Sequence, residues 1–255
     1  MEPLIKLNKL GPVDLLVEGW RIFASRFKDI LIVALLVYIP INVVEAFIPI
    51  DALTKQYGNN GLKIYNIIDR SLQGFVGIVA IIAIASIVET TVDGNALGWQ
   101  SALKKALSLW GQAIGTTIIA AILLSLLTLL FVVPGVIYGI YWFFWVYAVA
   151  LRNRTAKAAL DYSKSVVKGQ WWDIFWSLFA FGLLAGIVGL ILAWLPGMIS
   201  TAEPAGFIGA SIADVAGAYF TIVYTLFFLN NDYVHRPRQE RRDALAATSG
   251  ERSLS

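Results

Sequence analysis

Six apolar stretches of near-membrane length alternate with polar segments along this chain, at positions 30–50, 74–92, 113–133, 136–151, 174–195 and 207–229. Crossing about 30 Å of hydrocarbon takes about 20 helical residues, so the stretches read as six transmembrane helices. The segments ahead of the odd-numbered stretches are patterned rather than plain loops. Over 14–30, Leu16, Trp20, Phe23, Phe27 and Ile30 recur at three- and four-residue steps, opposite Asp14, Glu18, Arg21, Ser25 and Lys28. That spacing predicts an amphipathic helix. Over 157–171, Lys157, Asp161, Lys164 and Lys168 oppose Leu160, Val167 and Trp171, and a weaker copy over 99–110 sets Lys104 and Lys105 against Ala102, Leu103, Ala106 and Trp110. A helix with a basic face and a Trp/Phe/Leu face suits the headgroup plane.

The chain therefore parses as three units, each an interfacial helix followed by a transmembrane hairpin. Trp110 precedes Pro134 by 24 residues, as Trp172 precedes Pro196, and Gly135 and Gly197 follow the two prolines. The first unit departs from this, because neither Pro40 nor Pro49 precedes a glycine. Pro134 and Gly135 predict a tight turn between spans three and four. The expected fold is an all-α polytopic membrane protein: six transmembrane helices as three hairpins, each preceded by a cytoplasmic amphipathic helix.

Charge orients this threading. With odd-numbered polar segments inside, seventeen of the 20 Lys and Arg residues are cytoplasmic, and only Lys55, Lys63 and Arg70 are outside. Retention of basic loops in the cytoplasm predicts both termini inside. The formal net charge of +3 has this cause, so nucleic acid is not an expected partner. Of the 255 residues, 58% are hydrophobic and 15% charged, against about a quarter charged in soluble domains. One membrane domain over 1–233 is expected, with 234–255 a basic, unfolded cytoplasmic tail. The first 28 residues lack an apolar signal region, so no cleaved signal peptide is expected.

Candidate chemistry is sparse. With no cysteine and a single histidine, His235, no usual zinc set can form, and no catalytic, cofactor-binding or metal-ligating residue is assigned. No P-loop occurs. Three acids lie inside the apolar stretches: Glu45 near the outer end of span one, Glu89 near the inner end of span two, and Asp214 toward the outer start of span six. Each reads as a solvated span end or as a paired, functional charge. Thr116, Thr117, Ser125 and Thr128 are expected to bond their own helix backbone. Gly135 with Gly139, and Gly182 with Gly186 and Gly189, are read as close packing within the chain, a homodimer face being the alternative.

The run Pro134-Gly-Val-Ile-Tyr, the aromatic span after it, Ala158-Ala-Leu-Asp-Tyr-Ser163 and Val167-Lys-Gly-Gln-Trp-Trp172 resemble one bacterial membrane family. It is the membrane domain fused to some glycerophosphoryl diester phosphodiesterases, with related stand-alone inner-membrane proteins. The opening Val13-Asp-Leu-Leu-Val-Glu-Gly-Trp-Arg-Ile-Phe is similar to that family's N-terminus. In fused members the phosphodiesterase chemistry belongs to a separate soluble barrel that this chain lacks, so the resemblance implies no catalytic residue here. The expected function is a non-enzymatic integral protein of the bacterial inner membrane that organises or binds lipid or a membrane partner. Its anionic-headgroup contacts would be Lys104, Lys105, Lys157, Lys164 and Lys168; a protein partner or homo-oligomer is open. The alternative is a transporter or lipid-translocating protein gated by Glu45, Glu89 or Asp214.

Overall fold

The structure, a computed structural model, describes residues 10–199 and 203–252, the side chains of 193–208 and of 234 onward excepted. Eleven helices make up the described residues: α1 (Pro12–Ser25), α2 (Phe27–Ala46), α3 (Ile50–Tyr57), α4 (Asn59–Phe75), α5 (Gly77–Val92), α6 (Trp99–Leu130), α7 (Val132–Tyr141), α8 (Trp145–Arg152), α9 (Ala156–Val167), α10 (Trp171–Ile199) and α11 (Glu203–Arg252). Six stretches are long and apolar enough to cross a membrane: α2, α4 with α5, α6, α7 with α8, the 171–192 part of α10 and the 209–233 part of α11. This is a multi-pass membrane protein.

The centre of the bundle is α5. Nearly every side chain from Ile78 to Val88 is buried, so an apolar helix is enclosed on all sides. Around it, α2 buries Ile30, Val33, Ala34, Val37 and Ile41, a stripe at three- and four-residue steps. Its other face is also apolar, yet Leu36, Ile39, Val43 and Val44 are exposed. Exposed apolar surface on such a scale is what a lipid environment allows and water does not. Helices α6 and α10 are likewise apolar and largely exposed.

α6 differs from the sequence reading. The 99–110 segment is not a separate surface helix but the first three turns of a 32-residue helix, about 48 Å long. Ala102, Ala106, Ala113, Thr116 and Ala120 form its buried stripe, small residues that let helices approach closely. The Trp110 indole N–H donates to the carbonyl of Phe75, the last residue of α4, at 2.6 Å. The expected turn at Pro134 and Gly135 is displaced too. The chain turns at Phe131, in extended conformation (φ −155°), and Pro134 sits in the first turn of α7, where a missing N–H costs nothing. Gly135 is fixed by packing: a Cβ there would meet Thr128 Oγ1 at 2.3 Å.

The 50–75 segment, read as an outer loop, folds as α3 and α4. Gly58, at φ 56°, makes the turn between them. At Gly61 a Cβ would stand 2.4 Å from the Leu53 carbonyl oxygen, so only glycine lets α4 lie against α3. Throughout, the end carrying α1, α9 and Arg152 is called the basic end, and the end carrying α3 and α4 the opposite end.

Candidate functional site

At the basic end, α5, α8 and α11 each deliver one charged side chain to a common point: Glu89, Arg152 and Asp232. α8 stops at Asn153, whose left-handed conformation (φ 50°) closes the helix, with the Arg154 N–H donating to the Ala148 carbonyl at 3.1 Å. That stop places Arg152 in the last turn, where a cation complements the free carbonyls; its Nη1 donates to the Leu151 carbonyl at 2.7 Å. Arg152 Nε donates to Asp232 Oδ2 at 2.9 Å, its Nη2 to the same oxygen, and its Nη1 to Glu89 Oε1. The Tyr162 hydroxyl, on α9, donates to Asp232 Oδ1. The guanidinium also lies 5.5 Å from the Phe228 ring centroid.

Burial makes this cluster consequential. The Asp232 side chain is 0% exposed, that of Arg152 9% and that of Glu89 17%. A buried charge is tolerated only when paired and hydrogen-bonded, and here four side chains satisfy one another. Two carboxylates on one guanidinium leave a net negative charge. Lys105, half-buried on α6, is within electrostatic reach of both Glu89 and Arg152 and offsets it. The arrangement is a lock between three membrane-spanning helices and α9; it presents no nucleophile and no free base.

The same end is pinned in two further places. Asn230 Oδ1 accepts the Leu10 N–H at 3.0 Å and its Nδ2 donates to the Leu10 carbonyl at 3.1 Å, clasping the chain ahead of α1. The Asp29 carboxylate accepts the Trp99 N–H at 3.1 Å, pairs with Arg26 at 3.2 Å, and Arg26 donates to the Leu97 carbonyl. The loop between α5 and α6 is thereby tied to the start of α2.

A second polar group forms at the opposite end. Asn42 Nδ2, on α2, donates to Asp214 Oδ2, on α11, at 2.8 Å. The Glu45 carboxyl, one turn further along α2, has Asp69 and Gln73 of α4 within hydrogen-bonding reach, and its Oε1 is buried with no partner. Asn42 and Glu45 share a cavity of about 740 Å³ with Lys55 and Tyr65.

The residues singled out in the sequence thus fall into two sites and a surface. Glu45 and Asp214 come together at the opposite end, while Glu89 joins the ion cluster. Of the lysines, Lys104 and Lys168 are exposed, and Lys157 is exposed while paired with Asp161 at 3.4 Å. Lys164 instead caps the rings of Tyr138 and Tyr141, at 5.0 and 5.7 Å from their centroids. Thr116 and Thr117 bond their own backbone, donating to the Gln112 and Ala113 carbonyls at 2.8 Å; Thr116 also accepts the Ala156 N–H at 2.8 Å. Gly182, Gly186 and Gly189 have open space where a Cβ would stand, so none of them marks a close approach among the described residues.

Sequence reasoning missed Arg152, Asp232 and Tyr162. A signal existed in Asn230-Asn231-Asp232, a polar run that closes span six, but nothing in one sequence says which charge it meets. Among the described residues no set of three or more His, Asp or Glu side chains converges as metal ligands. Compared with known proteins, the chain matches no family model, no curated sequence and no solved structure.

Proposed function

We propose that this chain is a non-enzymatic protein of the bacterial inner membrane that binds lipid, with anionic headgroups collecting at its basic end and both termini in the cytoplasm. One observation carries this reading. The helices of the basic end carry both exposed indoles (Trp20, Trp172 and Trp176) and exposed ammonium groups (Lys104, Lys157 and Lys168). Indoles partition to the headgroup level and lysines attract anionic lipid there, at about 1 kcal/mol per basic residue. The excess of Lys and Arg on this side of the threading supports the cytoplasmic assignment. Helices α1 and α9 supply much of the surface, as interfacial helices of the first and third hairpin units. Their inner faces rest on the bundle through Leu15, Gly19 and Ile22 of α1 and Leu160 and Val167 of α9. Val13 and Val17 of α1 face away from it, and Trp20 is exposed at its edge, with its ring 6.1 Å from that of Tyr219.

The test is lipid retention. Replacing Lys104, Lys157 and Lys168 together by Gln removes about 3 kcal/mol of headgroup attraction at the rate given above. Co-purified anionic lipid is expected to fall severalfold, with folding unchanged because all three side chains are exposed. Retention equal to that of the wild type ends the proposal.

A second reading, a lipid-translocating or transport protein, is favoured by the placement of Glu45 on a cavity at one end, with Asp214 bonded to the cavity-lining Asn42, while the Glu89 cluster closes the other. Its test is movement of a fluorescent lipid between leaflets of reconstituted vesicles. Under this reading the wild type moves the probe and Asp214→Asn does not; under the first reading neither does.

A further inference from the structure

The cavity at the opposite end has a composition that selects its occupant. Its volume of about 740 Å³ falls within the roughly 300–1,000 Å³ of small-molecule sites. Asn42 and Glu45 from α2, Ile48 and Ile50 around the turn into α3, Lys55 from α3 and Tyr65 from α4 line it. Glu45 Oε1 is buried and lacks a hydrogen-bond donor. Lys55 is exposed on the same wall, and among the described residues no ion pair joins it to Glu45. Gln73 and Asp69 of α4 reach the Glu45 carboxyl but leave Oε1 without a partner, so one cavity holds a carboxyl oxygen short of a donor and an ammonium not paired to it. Beside them stands an apolar shoulder, Ile48 and Ile50.

We propose that this cavity binds a phosphodiester carrying a primary ammonium, the headgroup chemistry of an ethanolamine phospholipid, with the ammonium on Glu45 Oε1 and the phosphate on Lys55. A buried acceptor left without a donor is costly, and an arriving N–H removes that cost. A trimethylammonium group has the same charge but no N–H, so a choline headgroup leaves Glu45 Oε1 as it was. A glycerol headgroup brings no cation at all. A serine headgroup adds a carboxylate opposite Glu45 and Asp51, both on the cavity wall, and is repelled. The apolar shoulder accounts for a lipid rather than a water-soluble phosphodiester, and the two sources separate experimentally. The site shares no residue with the basic end, so it goes beyond the reading proposed above.

The experiment is native mass spectrometry of the full chain with an equimolar mixture of ethanolamine, choline and glycerol phospholipids of identical acyl chains. The expected result is about tenfold preference for the ethanolamine lipid over the choline lipid, the scale of one charge-assisted hydrogen bond. Glu45→Gln abolishes that preference. Lys55→Gln, at an exposed position, lowers retention of the ethanolamine and choline lipids together. Displacement by water-soluble glycerophosphoethanolamine assigns the site to a free phosphodiester; resistance to it assigns the site to the lipid. The Gln triple variant of Lys104, Lys157 and Lys168 retains the preference, so failure here is distinct from failure at the basic end. Equal retention of ethanolamine and choline lipids, or an undiminished preference in Glu45→Gln, overturns the proposal.

Discussion

Arg152 has to satisfy two carboxylates at once, and each of those acids arrives on a different helix. In the low-dielectric interior that dependence is mutual: taking away one member strands the others as uncompensated buried charges. Asp232→Asn or Arg152→Met is expected to cost about 3–5 kcal/mol of stability, measured as denaturant or thermal unfolding in detergent. Replacing both together is expected to cost less than the sum of the two, because Asp232 is then not left charged without its guanidinium and only the more accessible Glu89 loses its partner. Added salt should change none of these differences much, since the cluster is shielded from counter-ions. Additive losses would show that the three side chains do not act as one unit. The surface lysines contrast with this: Lys157, 89% exposed beside Asp161, contributes to charge and little to stability.

At the scale of elements, close approach decides which positions tolerate change. Gly135 and Gly139 look equivalent in sequence, four residues apart in α7. Only Gly135 is against α6, where a Cβ would meet Thr128; Gly139 has nothing within 4 Å. Gly135→Ala is therefore expected to destabilise by about 1–3 kcal/mol through overpacking, with Gly139→Ala near neutral or slightly stabilising. The melting temperatures of the two variants in one detergent give the comparison. If both behave alike, the α6–α7 contact is not formed. The same logic separates the two halves of α6, whose alanine stripe from Ala102 to Ala120 packs inward while Leu129 and Leu130 beyond it are exposed.

For the molecule as a whole, the absence of cysteine permits a direct test of the threading. Lys55→Cys on α3 and Lys104→Cys on α6 are both exposed positions. An impermeant maleimide applied to intact cells is expected to label the first and not the second until the membrane is opened. Labelling of both from outside would show the threading itself to be wrong, and labelling of the second alone would reverse the assignment of the basic end and remove its contact with cytoplasmic anionic lipid. The ion cluster and the Asn42–Asp214 bond lie toward opposite ends of the 209–233 part of α11, so this one helix ties α8 and α9, and through Arg152 α5, at one end and α2 at the other.

Span number, helical class and the gathering of basic residues on alternate segments were legible in the sequence, because each follows from local composition. A run of apolar residues forms a helix and enters lipid whatever its neighbours do. The stripe expected over 14–30 is not the face that α1 buries: the helix ends at Ser25, Leu15, Gly19, Ile22 and Phe23 turn inward, and Trp20 and Phe27 are exposed, since a bundle-facing and a lipid-facing apolar side chain look alike in sequence. The α3–α4 pair was hidden because its residues are polar enough to read as loop, and only the approach permitted at Gly61 makes it compact. Pairings belong to tertiary structure alone. Glu89, Arg152 and Asp232 are 63 and 80 residues apart in the chain, as are Asn42 and Asp214 by 172, and no local pattern encodes which helix end meets which. Burial then turns those meetings into obligations, because a charge without its partner cannot stay in the interior of the bundle.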